Sequence, residues 1–231
     1  MTVRTVIFDW GGTLTPWHTI DHESLWRGVC VKHYSAQRAA EIARALYLAE
    51  RDIWAGIERS QESATLAHVF ERARVSVPDA VPDAVLASYF EAWEPHTITH
   101  PDAPDLLREL RRRNIRIGVL SNTLWPRAVH DQIFVRDQVL DLIDGTVYSC
   151  ELPWTKPHPE AFRAAMAAVG EDDPASCVFV GDRPFDDVHG AKSIGMRAVL
   201  MRGSNVPPFE AAVPDATITR LSQLLPYLDR W

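Results

Sequence analysis

The sequence predicts an α/β protein in which a doubly wound parallel sheet is interrupted by an inserted all-helical domain. After Pro101, short β-branched runs alternate with amphipathic segments, and repeated units of this kind form parallel sheets with helices on both faces. Between about Pro16 and Pro95, no strand-like run occurs and apolar residues recur at helical spacing. The predicted domains are therefore residues 1–15 with 96–231, which form the sheet, and residues 16–95, which form the insert.

The first strand is predicted from Val3 to Phe8, a β-branched and aromatic run that stops at the glycine-containing loop from Asp9 to Thr13. The later strands are predicted at Ile115–Leu120, Gly145–Tyr148, Cys177–Val180, Arg197–Met201 and Ala216–Thr219. The helices of this domain are predicted at Asp105–Arg113, Pro159–Val169, Asp187–Ile194 and Leu221–Leu228, with one more between the second and third strands.

The insert is predicted to contain four helices. The clearest runs from Ser35 to Ile57, where apolar residues recur every three or four positions and Ser35 is the expected N-cap. The others are predicted at Glu23–Tyr34, Ser63–Val75 and Pro82–Trp93, and a proline in the first turn opens the last of them.

Composition excludes several classes of protein. The 231 residues are 46% hydrophobic and 24% charged, which rules out disordered, collagen-like and coiled-coil chains. The net charge of −7 comes without a block of like charges and argues against a nucleic-acid-binding surface. No apolar run approaches the roughly 18 to 20 residues of a membrane span, and the N-terminus has no signal-peptide pattern. The three isolated cysteines, Cys30, Cys150 and Cys177, suit buried thiols in a reducing compartment, so we expect a soluble cytoplasmic protein.

Polar residues follow the predicted strands at the edge where open parallel sheets bind ligands. Asp9 follows the first strand, Ser121 ends the second and Asp182 follows the fourth, while Lys156 lies in the loop after the third. Only three of the 24 basic residues are lysines, so a lysine in this loop is informative. Each residue alone is explained by a turn, a helix cap or a solvated loop. Together they predict a site for both an anion and a cation.

The cation side of this site suits phosphoryl transfer through a covalent aspartyl-phosphate. A carboxylate that attacks phosphorus is repelled by the phosphate oxygens, and a cation reduces that repulsion. Mg²⁺ prefers hard oxygen ligands and keeps several waters. Asp9, a carbonyl of the following loop and Asp182 can supply these ligands, with Asp187, or alternatively its neighbour Asp186, in support.

The anion side of the site is predicted from hydrogen-bond donors. Ser121, Asn122 and Lys156 can donate to the phosphate oxygens that the metal does not bind. Gly11 and Gly12 allow backbone N–H groups to approach the anion closely.

These residues, in this order, resemble the four motifs of the haloacid dehalogenase-like hydrolase superfamily. The similar segments are Phe8-Asp9-Trp10-Gly11-Gly12-Thr13-Leu14, Val119-Leu120-Ser121-Asn122, Lys156-Pro157-His158-Pro159-Glu160, and Gly181-Asp182 with Asp187 and Gly190-Ala191. The resemblance implies a Rossmann-like core and a helical cap between the first two motifs. It also implies that Asp9 is the nucleophile, that Ser121 and Lys156 bind the transferring group, and that Asp9, the Gly11 carbonyl and Asp182 hold Mg²⁺. The expected substrate is a small phosphorylated metabolite.

Gly11 departs from the pattern of the family's phosphatases. Those enzymes resemble this chain but carry a second aspartate two positions after the nucleophile, which protonates the leaving group. Glycine cannot transfer a proton, and general acid–base catalysis is typically worth about 10² to 10⁴ in rate. A phosphatase without this aspartate should favour acyl or aryl phosphates, whose leaving group needs little protonation.

Three alternatives to a phosphatase stay open. Haloacid dehalogenases also lack the second aspartate, although by resemblance they do not retain the Gly-Asp motif present here as Gly181-Asp182. Phosphonatases are similar around Asp9-Trp10, but they need a lysine from the cap, and the insert contains only Lys32. The third alternative is a catalytically weak binding or regulatory protein.

Aromatic residues near the first motif are candidates for substrate contact. Trp10 and Trp17 flank the loop, whereas Trp26, Trp54 and Trp93 lie on helix faces and are predicted to belong to the core. Four histidines, namely His18, His22, His158 and His189, show no metal-ligand spacing and are predicted to be structural or solvent-facing.

Overall fold

The computed structural model describes residues 2–74 and 83–231. Within them, the strands are β1 (Thr5–Phe8), β2 (Arg116–Ser121), β3 (Gly145–Tyr148), β4 (Cys177–Gly181), β5 (Arg197–Met201) and β6 (Ala216–Ile218). They form one sheet with the order β3-β2-β1-β4-β5-β6, and every neighbouring pair is parallel. This confirms the predicted doubly wound α/β fold. The chain reverses its direction of winding at β1, so the crevice for a ligand opens at the carboxyl ends of β1 and its two neighbours.

The helices of the sheet domain cover both faces of the sheet. They are α5 (Ala103–Arg112), α6 (Arg127–Arg136), α7 (Pro159–Ala168), α8 (Gly190–Ser193) and α9 (Leu225–Leu228). One face packs on α5 and α9 and the other on α7 and α8, so β1 and β4 are buried on both sides. A strand covered on both faces is apolar along most of its length, which explains why β1 and β4 are nearly continuous apolar runs.

The helix predicted at Asp187–Ile194 begins earlier in the structure. A π-helical turn spans Pro184–His189 and continues into α8. Pro184 lies in the first turn, where backbone N–H groups have no acceptor within the helix. Proline, which lacks an N–H, therefore favours this earlier start.

The insert contains the helices α1 (His22–Cys30), α2 (Ala36–Ser60), α3 (Leu66–Arg74) and α4, described from Asp83 to Trp93. Ser35 holds the N-cap position of α2 as predicted, although its side chain makes no capping hydrogen bond. The Asp21 side chain caps α1 by accepting from the Ser24 N–H. The predicted helix residues Val75 and Pro82 lie outside the described residues.

The insert contacts loops of the sheet domain in addition to the two segments of chain that connect it to that domain. Its buried cluster, which includes Trp26, Leu46 and Tyr89, extends to Leu124 and Trp125 after β2. Backbone hydrogen bonds add to this contact: Leu66 N donates to Leu124 O at 2.8 Å, Ser63 N to Pro153 O at 2.9 Å, and Thr155 N to Gln61 O at 2.9 Å. The domain boundaries at residues 15/16 and 95/96 stay a prediction.

None of the described helices combines the length and the apolar character that a bilayer crossing requires. Cys30 and Cys177 are buried and Cys150 is half-buried, and all three thiols are free.

Candidate active site at the carboxyl edge of the sheet

The parallel sheet brings four predicted site residues to one edge. Asp9 directly follows β1, and its backbone N–H donates to the Val180 carbonyl of β4 at 2.8 Å. Ser121 is the last residue of β2, and Asp182 directly follows β4. The loop after β3 carries Lys156 to the same place, where its ammonium contacts Asp9.

A buried ion-pair network lies at the centre of this edge. The Lys156 ammonium donates to Asp9 Oδ1 at 2.6 Å and to Asp187 Oδ1 at 2.7 Å, and the Lys156 and Asp187 side chains are 1% and 0% exposed. The other Asp187 oxygen accepts from the Arg183 backbone N–H at 2.8 Å. Removing one partner from a buried, fully bonded pair leaves an uncompensated charge, so this network fixes the position of Lys156 beside Asp9.

The electrostatics of the site reflect three neighbouring carboxyl groups, two of which bond to one ammonium. Burial raises the pKa of Asp9 to about 6, with Lys156 opposing the shift and Asp187 adding to it. Burial, followed by repulsion from Asp9 and Asp187, raises the pKa of Asp182 to about 8. For Lys156, burial alone would lower the pKa, but attraction to Asp187 and Asp9 outweighs it and keeps the pKa above its ordinary value. The ammonium therefore stays charged, whereas burial and mutual repulsion disfavour the ionised forms of Asp9 and Asp182.

Two glycines are required by close packing within the site. Gly12 has a φ of +86°, and a Cβ there would lie 2.5 Å from Asp182 Oδ2. A Cβ on Gly181 would lie 2.3 Å from the Asp187 carboxyl carbon. Gly11 differs, because its backbone is outside the left-handed region and a Cβ there meets nothing within 4 Å.

Asn122 takes a positioning role that the sequence did not reveal. Its side-chain N–H donates to the Lys156 carbonyl at 2.9 Å, and its oxygen accepts from the Lys156 backbone N–H at 2.8 Å. These two bonds fasten the lysine loop to the end of β2. The direct contact between Asn122 and an anion stays a prediction.

The carboxylates fit a divalent cation. Oxygens of Asp9, Asp182 and Asp187 lie within 4.8 Å of one another, and all three residues are buried. Both oxygens of Asp182 are buried without a hydrogen-bond partner among the described residues. An unpartnered buried carboxylate is costly unless a cation satisfies it. The alternative Asp186 lies outside this cluster and pairs with Arg183 at 3.4 Å.

The family model for haloacid dehalogenase-like hydrolases matches residues 3–195, which is most of the chain. The chain belongs to this hydrolase family.

The chain is similar to known phosphatases in sequence and to solved structures in fold. The chain is 36% identical to glyceraldehyde 3-phosphate phosphatase of Pyrococcus furiosus, over 56% of this chain and 54% of that protein. The matched region spans only about half the length of that protein and of two other phosphatases to which the chain is similar. The fold is similar to that of a phosphatase of this family from Thermococcus onnurineus, with a TM-score of 0.68, 23% identity and 98% of both chains covered. It is also similar to 2-haloacid dehalogenase from Pseudomonas syringae pv. Tomato, with a TM-score of 0.69, 21% identity and complete coverage of both chains.

In this member of the family, a cavity of about 530 Å³ lies above Asp9, between the sheet edge and the insert. The predicted residues Asp9, Gly11, Gly12, Ser121, Asn122 and Lys156 line it, together with the candidate contacts Trp10 and Trp17. Asp182 and Asp187 lie beneath its surface, since both are buried and neither lines it.

The assignment of Trp54 and Trp93 to the core is confirmed only in part, because they pack against the insert's apolar cluster without being fully buried in it. Both are half-buried and line the cavity, whereas Trp26 is fully buried as predicted. His18 and His22 also line the cavity, as does His96, which the sequence did not single out. The helical spacing of Trp54 and Trp93 placed them on an apolar face but could not show that this face borders a cavity.

The insert lysine lies away from the site. Lys32 is half-exposed, pairs with Glu91 at 3.6 Å and does not line the cavity. Lys192 pairs with Asp215 at the surface, and Lys156 is therefore the one lysine of this chain in the cavity.

Proposed function

We propose that the protein is a Mg²⁺-dependent phosphatase that forms an aspartyl-phosphate at Asp9 and acts on a small phosphorylated molecule. The observation that carries the proposal is the buried arrangement in which Lys156 contacts Asp9 while Asp182 presents two unpartnered oxygens beside them. A lysine fixed beside a nucleophilic carboxylate offsets the repulsion between that carboxylate and a phosphate dianion.

In the first half of the reaction, an Asp9 oxygen forms a bond to phosphorus and the bond from phosphorus to the leaving oxygen breaks. The leaving oxygen keeps the electron pair. Ser121 and Lys156, which line the cavity beside Asp9, donate to oxygens of the transferring group. Water then hydrolyses the aspartyl-phosphate, which releases inorganic phosphate and restores the Asp9 carboxylate.

Asp9, the Gly11 carbonyl and Asp182 would hold Mg²⁺. Bound there, the ion supplies positive charge that stabilises the phosphoryl oxygens. Asp187 supports the site mainly through Lys156, since both of its oxygens already accept hydrogen bonds.

Two of the alternatives lose support from particular residues. A phosphonatase needs a second lysine at the site, and Lys32 lies at the surface instead. A haloacid dehalogenase has no use for a cation, whereas the buried carboxyl oxygens of Asp9, Asp182 and Asp187 lie close enough together to bind one.

The test measures release of phosphate, halide and aldehyde from a panel of phosphate esters, haloacids and phosphonates, with Mg²⁺ or with EDTA. We expect phosphate release that requires Mg²⁺ and is abolished in Asp9→Asn. The exposed Asp141→Asn variant serves as the matched control and should keep full activity.

A second readout detects the covalent site directly. Beryllium fluoride with Mg²⁺ should form an adduct on Asp9, seen by ¹⁹F NMR, in the wild type but not in Asp9→Asn. Full activity in EDTA with halide release would instead establish a dehalogenase. Adduct formation without any turnover would establish a binding or regulatory protein.

A further inference from the structure

The cavity above Asp9 has a charged floor and aromatic walls. Its volume of about 530 Å³ lies within the range of small-ligand pockets. Five tryptophan and phenylalanine rings line the walls: Trp10, Trp17, Trp54, Trp93 and Phe185. Half of the eight tryptophans in the chain are thus at one cavity. A phosphate group uses only the floor, so the walls are available to the rest of the ligand.

Two of these rings form no ring pair with another aromatic residue among the described residues, although one of them, Trp54, also packs against the apolar cluster of the insert. Trp10 and Trp93 each pack against Trp125, with ring centroids 5.8 and 5.3 Å apart. Trp17 and Trp54 are half-buried, and neither forms a ring pair with another aromatic residue in the part of the chain that the structure describes. Large apolar surfaces left open at a cavity wall mark a binding surface.

The leaving group must also suit a site without an acid at residue 11. A phenol has a pKa of about 10, as the tyrosine side chain does, and an aliphatic alcohol is a much weaker acid. A phenolate therefore departs with far less need for protonation than an alkoxide. Acyl phosphates meet this chemical requirement too, but a simple acyl group has no ring to place against the tryptophans.

We infer that the substrates are aryl phosphates and that the aromatic leaving group binds against Trp17 and Trp54. This inference rests on the proposed phosphatase function at Asp9. In the reaction, Asp9 binds phosphorus, the bond between phosphorus and the phenolic oxygen breaks, and that oxygen keeps the electron pair and leaves as a phenolate.

The first test compares the binding of two stable mimics, phenylphosphonate and methylphosphonate, by calorimetry in the presence of Mg²⁺. We expect the phenyl compound to bind at least about tenfold more tightly, because it buries a ring against the aromatic walls. Trp17→Leu and Trp54→Leu should each reduce this ratio to below about threefold, whereas Trp17→Phe should largely keep it. Trp231→Leu is the control, since Trp231 packs on Tyr227 near the C-terminus and does not line the cavity.

The second test compares kcat/KM for phenyl phosphate and ethyl phosphate. We expect a preference for the phenyl ester of at least about 100-fold, consistent with the loss of general acid catalysis. Equal binding of the two phosphonates, or a ratio unchanged in both leucine variants, would overturn the inference. Comparable turnover of ethyl phosphate would also overturn it and would indicate a proton donor among the residues that line the cavity.

The two proposals fail in different ways. If no phosphate ester is hydrolysed, the phosphatase function fails, but the ratio of phosphonate affinities still reports whether the walls select an aromatic group. If phenyl and ethyl phosphate are hydrolysed equally and Asp9→Asn is inactive, the phosphatase function stands and only the aryl preference is wrong.

Discussion

The Gly11→Asp substitution tests whether the site lacks a general acid. A Cβ at Gly11 meets nothing within 4 Å and the backbone there is not left-handed, so the loop can accept a side chain without moving. Replacing a glycine in a compatible conformation changes stability by less than about 1 kcal/mol, mainly through the unfolded chain. The new carboxyl would enter the cavity that Asp9 also lines.

General acid–base catalysis contributes about 10² to 10⁴ in rate when the donor is well placed. An introduced aspartate has no supporting contacts, so we expect only the lower part of this gain. Gly11→Asp should raise kcat/KM for alkyl phosphates by at least about tenfold and leave aryl phosphates nearly unchanged, because phenolates need little protonation.

The assay is phosphate release from ethyl and phenyl phosphate with Mg²⁺, and thermal unfolding verifies that each variant is folded. Gly11→Asn is the matched control, because it has the same shape but cannot donate a carboxyl proton. Gly12→Ala is a second comparison, which tests a neighbouring glycine that has no room for a side chain. It should lose activity, since its Cβ would lie 2.5 Å from Asp182 Oδ2. The reasoning is refuted if folded, Mg²⁺-binding Gly11→Asp hydrolyses ethyl phosphate no faster than the wild type, or if Gly11→Asn gains equally.

Three further substitutions test other contacts. Asp182→Asn should weaken Mg²⁺ binding by at least about tenfold in calorimetry, because it removes a charged oxygen ligand; unchanged affinity would exclude Asp182 as a ligand. Asn122→Ala should lower activity at least about tenfold and the free energy of unfolding by about 1–3 kcal/mol, since it removes both side-chain bonds to the Lys156 backbone. Normal kinetics would show that the lysine loop keeps its position without Asn122. Glu171→Gln should lower the free energy of unfolding by about 1–2 kcal/mol at pH 7, because it weakens a buried carboxylate's bonds to Arg4 and Arg116. Hydrogen bonds from Arg4 hold the Glu171 pKa well below its ordinary value of 4.5, so the stabilisation is complete above that pH and is lost as the pH falls; a wild-type advantage that grows in acid would contradict this assignment.

The sequence by itself determined the sheet and the residues at its edge. β1, β4 and β5 are short, mainly apolar runs, as expected of strands that helices cover. A parallel sheet places their carboxyl ends at the same edge whatever the details of packing. Asp9, Ser121 and Asp182 could therefore be placed together before any coordinates were known. The scarcity of lysine and its position after β3 added Lys156 to this group.

Tertiary structure alone decided what surrounds these residues. Helical spacing placed Trp54 and Trp93 on apolar faces, but an apolar face can meet either another element or a cavity. Only the packing of the insert's helices showed that these two residues border the cavity. In the same way, only the fold showed Lys32 at the surface and Asn122 bonded to the Lys156 backbone. The local sequence specifies periodicity and the ends of strands, whereas contacts between segments far apart in the chain depend on how the helices pack.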